Sequence, residues 1–387
     1  MLLVLALLSS FPPLSTDLYL PALPQMVISL ATTQARLNLT LSLFFICFAL
    51  SILIWGPLSE KYGRKPVLFI GLVIYTLASV ICALAKDVDH LIIFRALQAV
   101  GGGASTAVST AIVKDIYSGR KRETVLAVVM SLVIAAPVVA PLVGAFLLKF
   151  VSWRAIFWVL AGMGILAFLA TFLLEESLPQ KYPGSTLNSL GRLIVVMKNP
   201  GFSFLLFIFS IVVMPMLGFI SASAYIYIQE FGLSEQAFSI VFSINSLCAM
   251  AGPFIYVKLS RNIPGQDMIS ICFWVMALCG MVMVFAGQRH YLIFALAMAP
   301  ATLVITAMRP PSTHLMLEQQ EFDSGSASAL INCMGMVMGS LGIFLVSGET
   351  GSLIPILGML MAATGVLGGV LWLGIRNRPF IQPVHNK

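Results

Sequence analysis

Apolar residues run along this chain in blocks of about twenty, each closed by a short polar turn, from one end of the sequence to the other. A helix rises about 1.5 Å per residue, so roughly 20 apolar residues match the ~30 Å hydrocarbon core of a bilayer. Strands of a membrane barrel would be about half that length and would alternate in polarity. The pattern therefore predicts helices. Twelve spans are expected, at approximately 2–24, 38–58, 66–86, 90–112, 123–148, 153–173, 201–224, 236–258, 267–286, 291–310, 326–347 and 353–375. The block from Met1 to Leu8 has the apolarity of a secretory leader, but no basic residues precede it and no A-x-A pattern follows. It is read as the start of the first span.

Composition sharpens this picture. Of 387 residues, 59% are hydrophobic and 10% charged, with a mean hydropathy of +0.99. A soluble domain carries about a quarter of its residues as charges, so the expected class is an all-α integral membrane protein. The net charge of +7 does not gather on one face, which argues against a nucleic-acid partner. It recurs in alternate loops. Lys61, Arg64, Lys65, Lys114, Arg120, Lys121, Arg122, Lys181, Arg192, Lys198, Lys258, Arg261, Arg309, Arg376, Arg378 and Lys387 fall on one side; Arg36, Lys86, Lys149, Arg154 and Arg289 fall on the other. Basic residues accumulate on the cytoplasmic face, so both termini are expected there, in the cell's inner membrane. The six cysteines lie in apolar runs without C-x-x-C spacing and read as buried hydrophobes, and no histidine pair has metal-ligand spacing.

The longest interruption of apolarity, Glu175 to Pro200, holds Pro179, Pro183 and Gly184. It divides the chain into an N-terminal bundle (1–174), a cytoplasmic loop (175–200), a C-terminal bundle (201–376) and a short tail (377–387). Gly56-Pro57 near the end of the second span is echoed by Gly252-Pro253 in the eighth, each followed by a basic turn. Two pseudo-symmetric six-helix bundles with a site at their interface are a transporter plan.

Two ionisable residues lie well inside predicted spans, Asp17 and Arg95. Such residues are expensive in lipid, face the interior and mark pathways or proton relays. Both fall in the outer halves of their spans, so they are expected to approach one another. Burial disfavours the charged carboxyl and a neighbouring guanidinium favours it. A carboxyl whose surroundings alternate between two conformations can therefore take up and release a proton. The competing reading has Asp17 at the outer water interface, capping a helix broken by Pro21 and Pro24. Asn245 and Asn332 are polar positions in second-half spans, and Tyr225, Tyr227, Phe207 and Phe209 offer aromatic surface. These are candidates for a cavity wall, with interhelical hydrogen bonding or lipid-facing packing as alternatives. Gly101-Gly102-Gly103 lies within an apolar span and lets helices approach rather than cradling phosphate.

Several stretches resemble one known family. Gly56-x-Leu58-x-Glu60-Lys61-x-Gly63-Arg64-Lys65 is similar to the G-x-L-a-D-r-x-G-R-k signature of the major facilitator superfamily, with Glu60 in place of Asp. Asp17-Leu18-Tyr19-Leu20-Pro21-Ala22-Leu23-Pro24 resembles the first-span D-x-Y-x-P-x-x-P motif of drug/proton antiporters, most nearly the bicyclomycin and chloramphenicol resistance group. Arg95-x-x-Gln98-x-x-Gly101 resembles the span-four R-x-x-Q-G motif with its glycine displaced, and the stretch holding Pro137, Pro141 and Gly144 resembles the antiporter motif of span five. The last stretch reads equally well as an ordinary kinked packing helix. The resemblance implies proton coupling by Asp17 and Arg95 and a cytoplasmic gate of Gly56, Glu60, Gly63, Arg64 and Asp115; Tyr19 and Gln98 join Tyr225, Asn245 and Asn332 as candidates for the substrate cavity. A basic topogenic turn is the alternative for that gate.

The expected function is export of small amphipathic drug-like substrates in exchange for protons, by a monomer in the bilayer that is driven by the proton gradient and needs no cofactor. Transport of a native metabolite such as a sugar or amino acid is the rival within the class. A non-transporting receptor or scaffold is the rival outside it, and an enzyme is disfavoured because no catalytic cluster or nucleotide-binding loop occurs.

Overall fold

The computed structural model describes residues 2–178, 186–320, 324–348 and 351–378. Lys181, Pro179, Pro183 and Gly184 of the expected central loop, and Lys387 with most of the expected tail, lie outside the described residues.

Among the described residues the chain is helical throughout, with no strand. Eleven helices are long and apolar enough to cross a bilayer, and the bent pair at the N-terminus makes up to twelve. That first span is the least regular. Helix α1 (Leu2–Ser9) gives way at Ser10 to α2 (Phe11–Asp17), then a 3₁₀ turn over Leu20–Ala22 and α3 (Leu23–Ser29). The two parts are bent by 50°. Pro12, Pro13, Pro21 and Pro24 each remove a backbone donor, and each stands in the first turn of a new segment, where that donor is not required. A single continuous span over 2–24 is thereby corrected to a broken one reaching Ser29.

The remaining helices of the first half are α4 (Gln34–Tyr62), α5 (Arg64–Ala83), α6 (Val88–Ile116), α7 (Gly119–Leu148) and α8 (Arg154–Phe172), followed by α9 (Thr186–Met197). The second half contains α10 (Pro200–Ser210), α11 (Val213–Ala224) continued by a π-helical turn over Tyr225–Glu230, α12 (Glu235–Leu259), α13 (Gly265–Ala286), α14 (Tyr291–Glu318), α15 (Ser324–Val346) and α16 (Leu353–Ile375). Caps set several starts: Thr33, Asp87, Asn199 and Ser352 each accept a backbone N–H of the first turn.

Span ten was expected to end at 310, at the Pro310-Pro311 pair, but α14 runs two turns further. A Cβ built on Gly265, which opens α13, would lie 3.9 Å from the Pro311 side chain. The prolines therefore sit level with the inner end of the neighbouring span, where tertiary packing carries the helix past the lost bonds.

The chain forms two compact units. One comprises Met1–Ser189 with Glu235–Ser243, the other Leu190–Ser234 with Ile244–Lys387. In the first, α5 packs on α6 and α8; in the second, α13 packs on α14 and α16. The same neighbour scheme recurs in each unit. Close approaches rest on missing side chains: a Cβ at Gly101 would meet the Tyr75 backbone at 2.5 Å, and one at Gly280 would meet the Ala362 backbone at 2.4 Å. The Gly101–Gly103 run thus serves packing.

Candidate functional site

Asp17 ends α2 where the first span breaks, and it is 5% exposed. Its Oδ1 accepts a hydrogen bond from the neighbouring Thr16 hydroxyl at 3.0 Å. Among the described residues no Lys, Arg or His lies within ion-pair distance of it. The expected approach of Asp17 to Arg95 is not found in this conformation. A carboxyl sealed from water with one hydrogen bond and no counter-ion is a costly arrangement. It is not an interfacial helix cap.

Arg95 is fully buried in α6. Its guanidinium carbon lies 4.7 Å from the Tyr19 ring centroid, 4.3 Å from that of Phe44 and 5.9 Å from that of Phe157. Nη1 donates to Gln98 Oε1 at 2.5 Å, and Gln98 Nε2 passes the chain on to Ser79 Oγ at 2.7 Å. Nε and Nη2 have no hydrogen-bond partner among the described residues. Stacking on rings offsets part of the charge's lost hydration, about 2 kcal/mol for a desolvated pair. The cation is held in place with donors to spare. Tyr19 closes the box from the other side, its hydroxyl 3.1 Å from Thr40 Oγ1. Tyr19 and Gln98, expected on a substrate cavity, are completely buried here; they frame the arginine instead.

The antiporter-like stretch meets Asp17's own segment. A Cβ on Gly144 of α7 would fall 1.9 Å from the Leu18 carbonyl oxygen, so this glycine is what lets α7 press against the break in the first span. Pro137 and Pro141 lie inside the same helix. Within that unit the Val138 carbonyl accepts a 2.6 Å hydrogen bond from Ser243 Oγ.

The charged turn between α4 and α5 folds as its glycine requires. Gly63 has φ +109°, and it separates the two helices. Arg64 is buried, with Nε donating to Asp115 Oδ2 at 2.8 Å and Nη1 to Ser59 Oγ at 2.7 Å. Ser177 Oγ also donates to Asp115 Oδ2, at 3.3 Å. The pairing of Arg64 with Asp115 is therefore present. Glu60 departs from expectation: it is exposed and forms no ion pair among the described residues. The acid that matters at this turn is Glu176, whose carboxylate accepts the backbone N–H groups of Arg64 at 3.0 Å and Lys65 at 3.1 Å, capping α5. Lys65 Nζ returns the contact by donating to the Leu174 carbonyl at 2.6 Å. Glu176 lies 112 residues from Arg64, so no local pattern pointed to it. Gly56 has nothing within 4 Å of a built Cβ, so the structure shows no packing need for it.

The remaining candidates scatter. Tyr225 is buried at the start of the π-helical turn. Asn245 is buried and accepts from Thr302 Oγ1 at 3.2 Å, an interhelical bond between α12 and α14. Asn332 is exposed and donates within its own helix to the Ser328 carbonyl. Tyr227 is buried against Phe294, and Phe209 packs on Phe273 and Trp372, whereas Phe207 is 44% exposed on an outer surface.

Comparison with known proteins agrees with this architecture. The family model described as Major Facilitator Superfamily matches residues 5–343. The chain is 29% identical over 345 residues to the uncharacterized MFS-type transporter YdgK of Bacillus subtilis (strain 168), covering 87% of this chain and 86% of that one. It is 25% identical to a bicyclomycin resistance protein homolog of Haemophilus influenzae, over 88% of both chains, and 28% identical to the multidrug resistance protein MdtL of Klebsiella pneumoniae (strain 342), over 62% of both. Among solved structures, a bacterial homolog of the human lysosomal transporter Spinster, inward-facing and occupied, superposes with a TM-score of 0.76 at 16% identity, covering 96% of this chain and 95% of that one. The xylose transporter XylE from E. coli gives 0.75 at 14% identity over 99% of both. The resistance proteins fit the drug/proton antiporter branch that the motifs indicated.

Proposed function

The chain belongs to the Major Facilitator Superfamily, and from that premise we propose that it exports small amphipathic drugs in exchange for protons. The observation that carries this reading is Asp17: a carboxyl sealed in the broken first span with, among the described residues, no cation in ion-pair distance. Its charge can be borne only when water or a counter-ion reaches it, so its occupancy by a proton changes with the conformation around it. Arg95, held by the Tyr19 ring and Gln98 with two of its nitrogens unpartnered among the described residues, is the fixed positive element of the same half. Protonation of Asp17 removes a charge from the first span and favours one arrangement; release on the other side restores the other. In this scheme the proton gradient is the only energy source and no cofactor takes part. Both termini are cytoplasmic, following the distribution of Lys and Arg, and the working unit is the monomer.

The resistance-protein relatives support a drug over a metabolite as the cargo. The test is a susceptibility panel in cells stripped of their main efflux pumps, comparing wild type with Asp17→Asn. Resistance to several unrelated amphipathic drugs, lost in the variant, is expected. Unchanged susceptibility with proton-driven uptake of a sugar or amino acid would replace the proposal with metabolite transport.

A further inference from the structure

Arg309 falls with the loop cations when the sequence alone is read, but the structure sets it inside a helix. Helix α14 runs on to Glu318, nine residues beyond it. At 1.5 Å per residue this 28-residue helix is about 42 Å long, so a hydrocarbon core of ~30 Å centred on it takes in Arg309. An ionisable side chain at that depth faces the protein interior or a water-filled cavity, and as a rule it is paired. Among the described residues Arg309 has no pair: no carboxylate lies within ion-pair distance of its guanidinium and no acceptor within hydrogen-bond distance. Glu318, at the end of the same helix, faces His314 at 3.9 Å instead.

The face that Arg309 occupies is not a lipid face. Thr302, Ile305, Thr306, Ser312 and Met316 stand three, four or seven residues away, beside it on the helix surface, and all are buried. Pro311, two residues on and so nearly opposite, is the residue that meets α13, 3.9 Å from a Cβ built on Gly265. In the middle of the covered face Arg309 is enclosed by protein and yet exposed, as a side chain is at the wall of a cleft. Its polar neighbours are already engaged. Ser312 Oγ donates to the Arg309 carbonyl at 3.1 Å, Thr306 Oγ1 to the Leu303 carbonyl at 3.0 Å, and Thr302 Oγ1 to Asn245 Oδ1 at 3.2 Å. The five N–H donors of the guanidinium are left for a ligand.

We propose that Arg309 selects cargo by charge, taking the carboxylate of an amphipathic substrate. A guanidinium fork matches the two oxygens of a carboxylate in one plane, and a cation standing unpaired at membrane depth gains most from an anion that arrives with its own counter-charge. The inference rests on the export of amphipathic drugs proposed above and names the charge those drugs carry. A body bearing a carboxylate is preferred over the same body without one, and a cationic one is repelled.

The experiment titrates purified full-length protein calorimetrically with 2-naphthylacetate, with 2-naphthylacetamide and with (2-naphthylmethyl)trimethylammonium, which share an apolar body and differ in charge. Wild type should bind the carboxylate at least ~tenfold more tightly than the amide, the factor that one charge-assisted hydrogen bond supplies, and the ammonium most weakly. In Arg309→Gln the carboxylate should fall to the affinity of the amide, with the amide's own affinity unchanged; Arg309→Lys should keep part of the preference. Equal affinity for carboxylate and amide in wild type, or a preference that survives in Arg309→Gln, would overturn the proposal. Wild-type protein gives a second reading that needs no variant. Phenylglyoxal modification of Arg309, read by peptide mass, should be blocked by saturating naphthylacetate and not by the amide, and equal modification with both would overturn the proposal as well. The Asp17→Asn protein should show the same charge preference. Proton release lost from wild type with that preference intact would sink the antiport mechanism alone, whereas Asp17-dependent export confined to cationic drugs would sink the carboxylate site alone.

Discussion

Replacing Asp17 by Asn removes the one group on which the proposed coupling depends while preserving its shape. Moving a carboxylate out of water costs several kcal/mol even after relaxation. The single hydrogen bond from Thr16 returns only about 1.5–3 kcal/mol to a charged acceptor. The shortfall is what the transport cycle must supply whenever the charged group is sealed in, and Asn abolishes it. Asn keeps an acceptor for the Thr16 hydroxyl, so folding stability should change by ~1 kcal/mol or less. In proteoliposomes with a trapped pH indicator, wild type should move protons when drug is added and the variant should not. Exchange of labelled for unlabelled drug, which needs no net proton movement, should persist in the variant. Asp17→Asn protein that still couples drug to protons would refute the reasoning.

Five further outcomes follow from the geometry. Arg64→Ala takes the cation from Asp115, leaving it the Ser177 hydroxyl, and removes a donor to Ser59; it should lower stability by about 1–3 kcal/mol, read as the melting midpoint in detergent. Gly144→Ala forces α7 off the Leu18 carbonyl and should cost roughly 1–3 kcal/mol as an overpacked contact, whereas Gly56→Ala, with open space around it, should be neutral or gain about 0.5–1 kcal/mol inside α4. Arg95→Lys exchanges a flat cation stacked between rings for a point charge and should abolish transport without preventing membrane insertion, checked by expression and dye efflux. At the start of α6, the His90 backbone N–H and ring hold the Asp87 carboxyl below the usual carboxylate range. The stabilisation of that turn is therefore present above the ordinary carboxylate value and lost as pH falls through the lowered one. Amide exchange at His90 should accelerate in that acid window in wild type and be insensitive to it in Asp87→Asn.

The spans were legible because their signal is long and repeated: most ends predicted from apolar runs fall within a few residues of the helices. Misjudged ends have a common cause. Pro310 and Pro311 read as a stop, yet α14 continues because packing along a neighbouring span outweighs two missing bonds. The prolines near Asp17 do break the first span, since each stands in the first turn of a segment there. Arg64 and Asp115 could be paired from the sequence because both fall at span ends on the basic side and the turn resembles a superfamily signature. Glu176 could not, as its role is to cap a helix more than a hundred residues earlier. The separation of Asp17 from Arg95 was also illegible. Depth along two helices is countable, but the direction of a side chain at the end of a broken helix segment is not. Tyr19 and Gln98 read as cavity wall from the motifs that hold them, whereas in the structure they frame a buried arginine.

The most direct measurement is a proton count on purified wild-type protein. A drug selected by the susceptibility panel is added to weakly buffered, detergent-solubilised transporter, and the pH change is followed with an indicator dye. The account predicts release of protons in proportion to drug bound, absent in Asp17→Asn. Saturable drug binding with no proton released from wild type would contradict it.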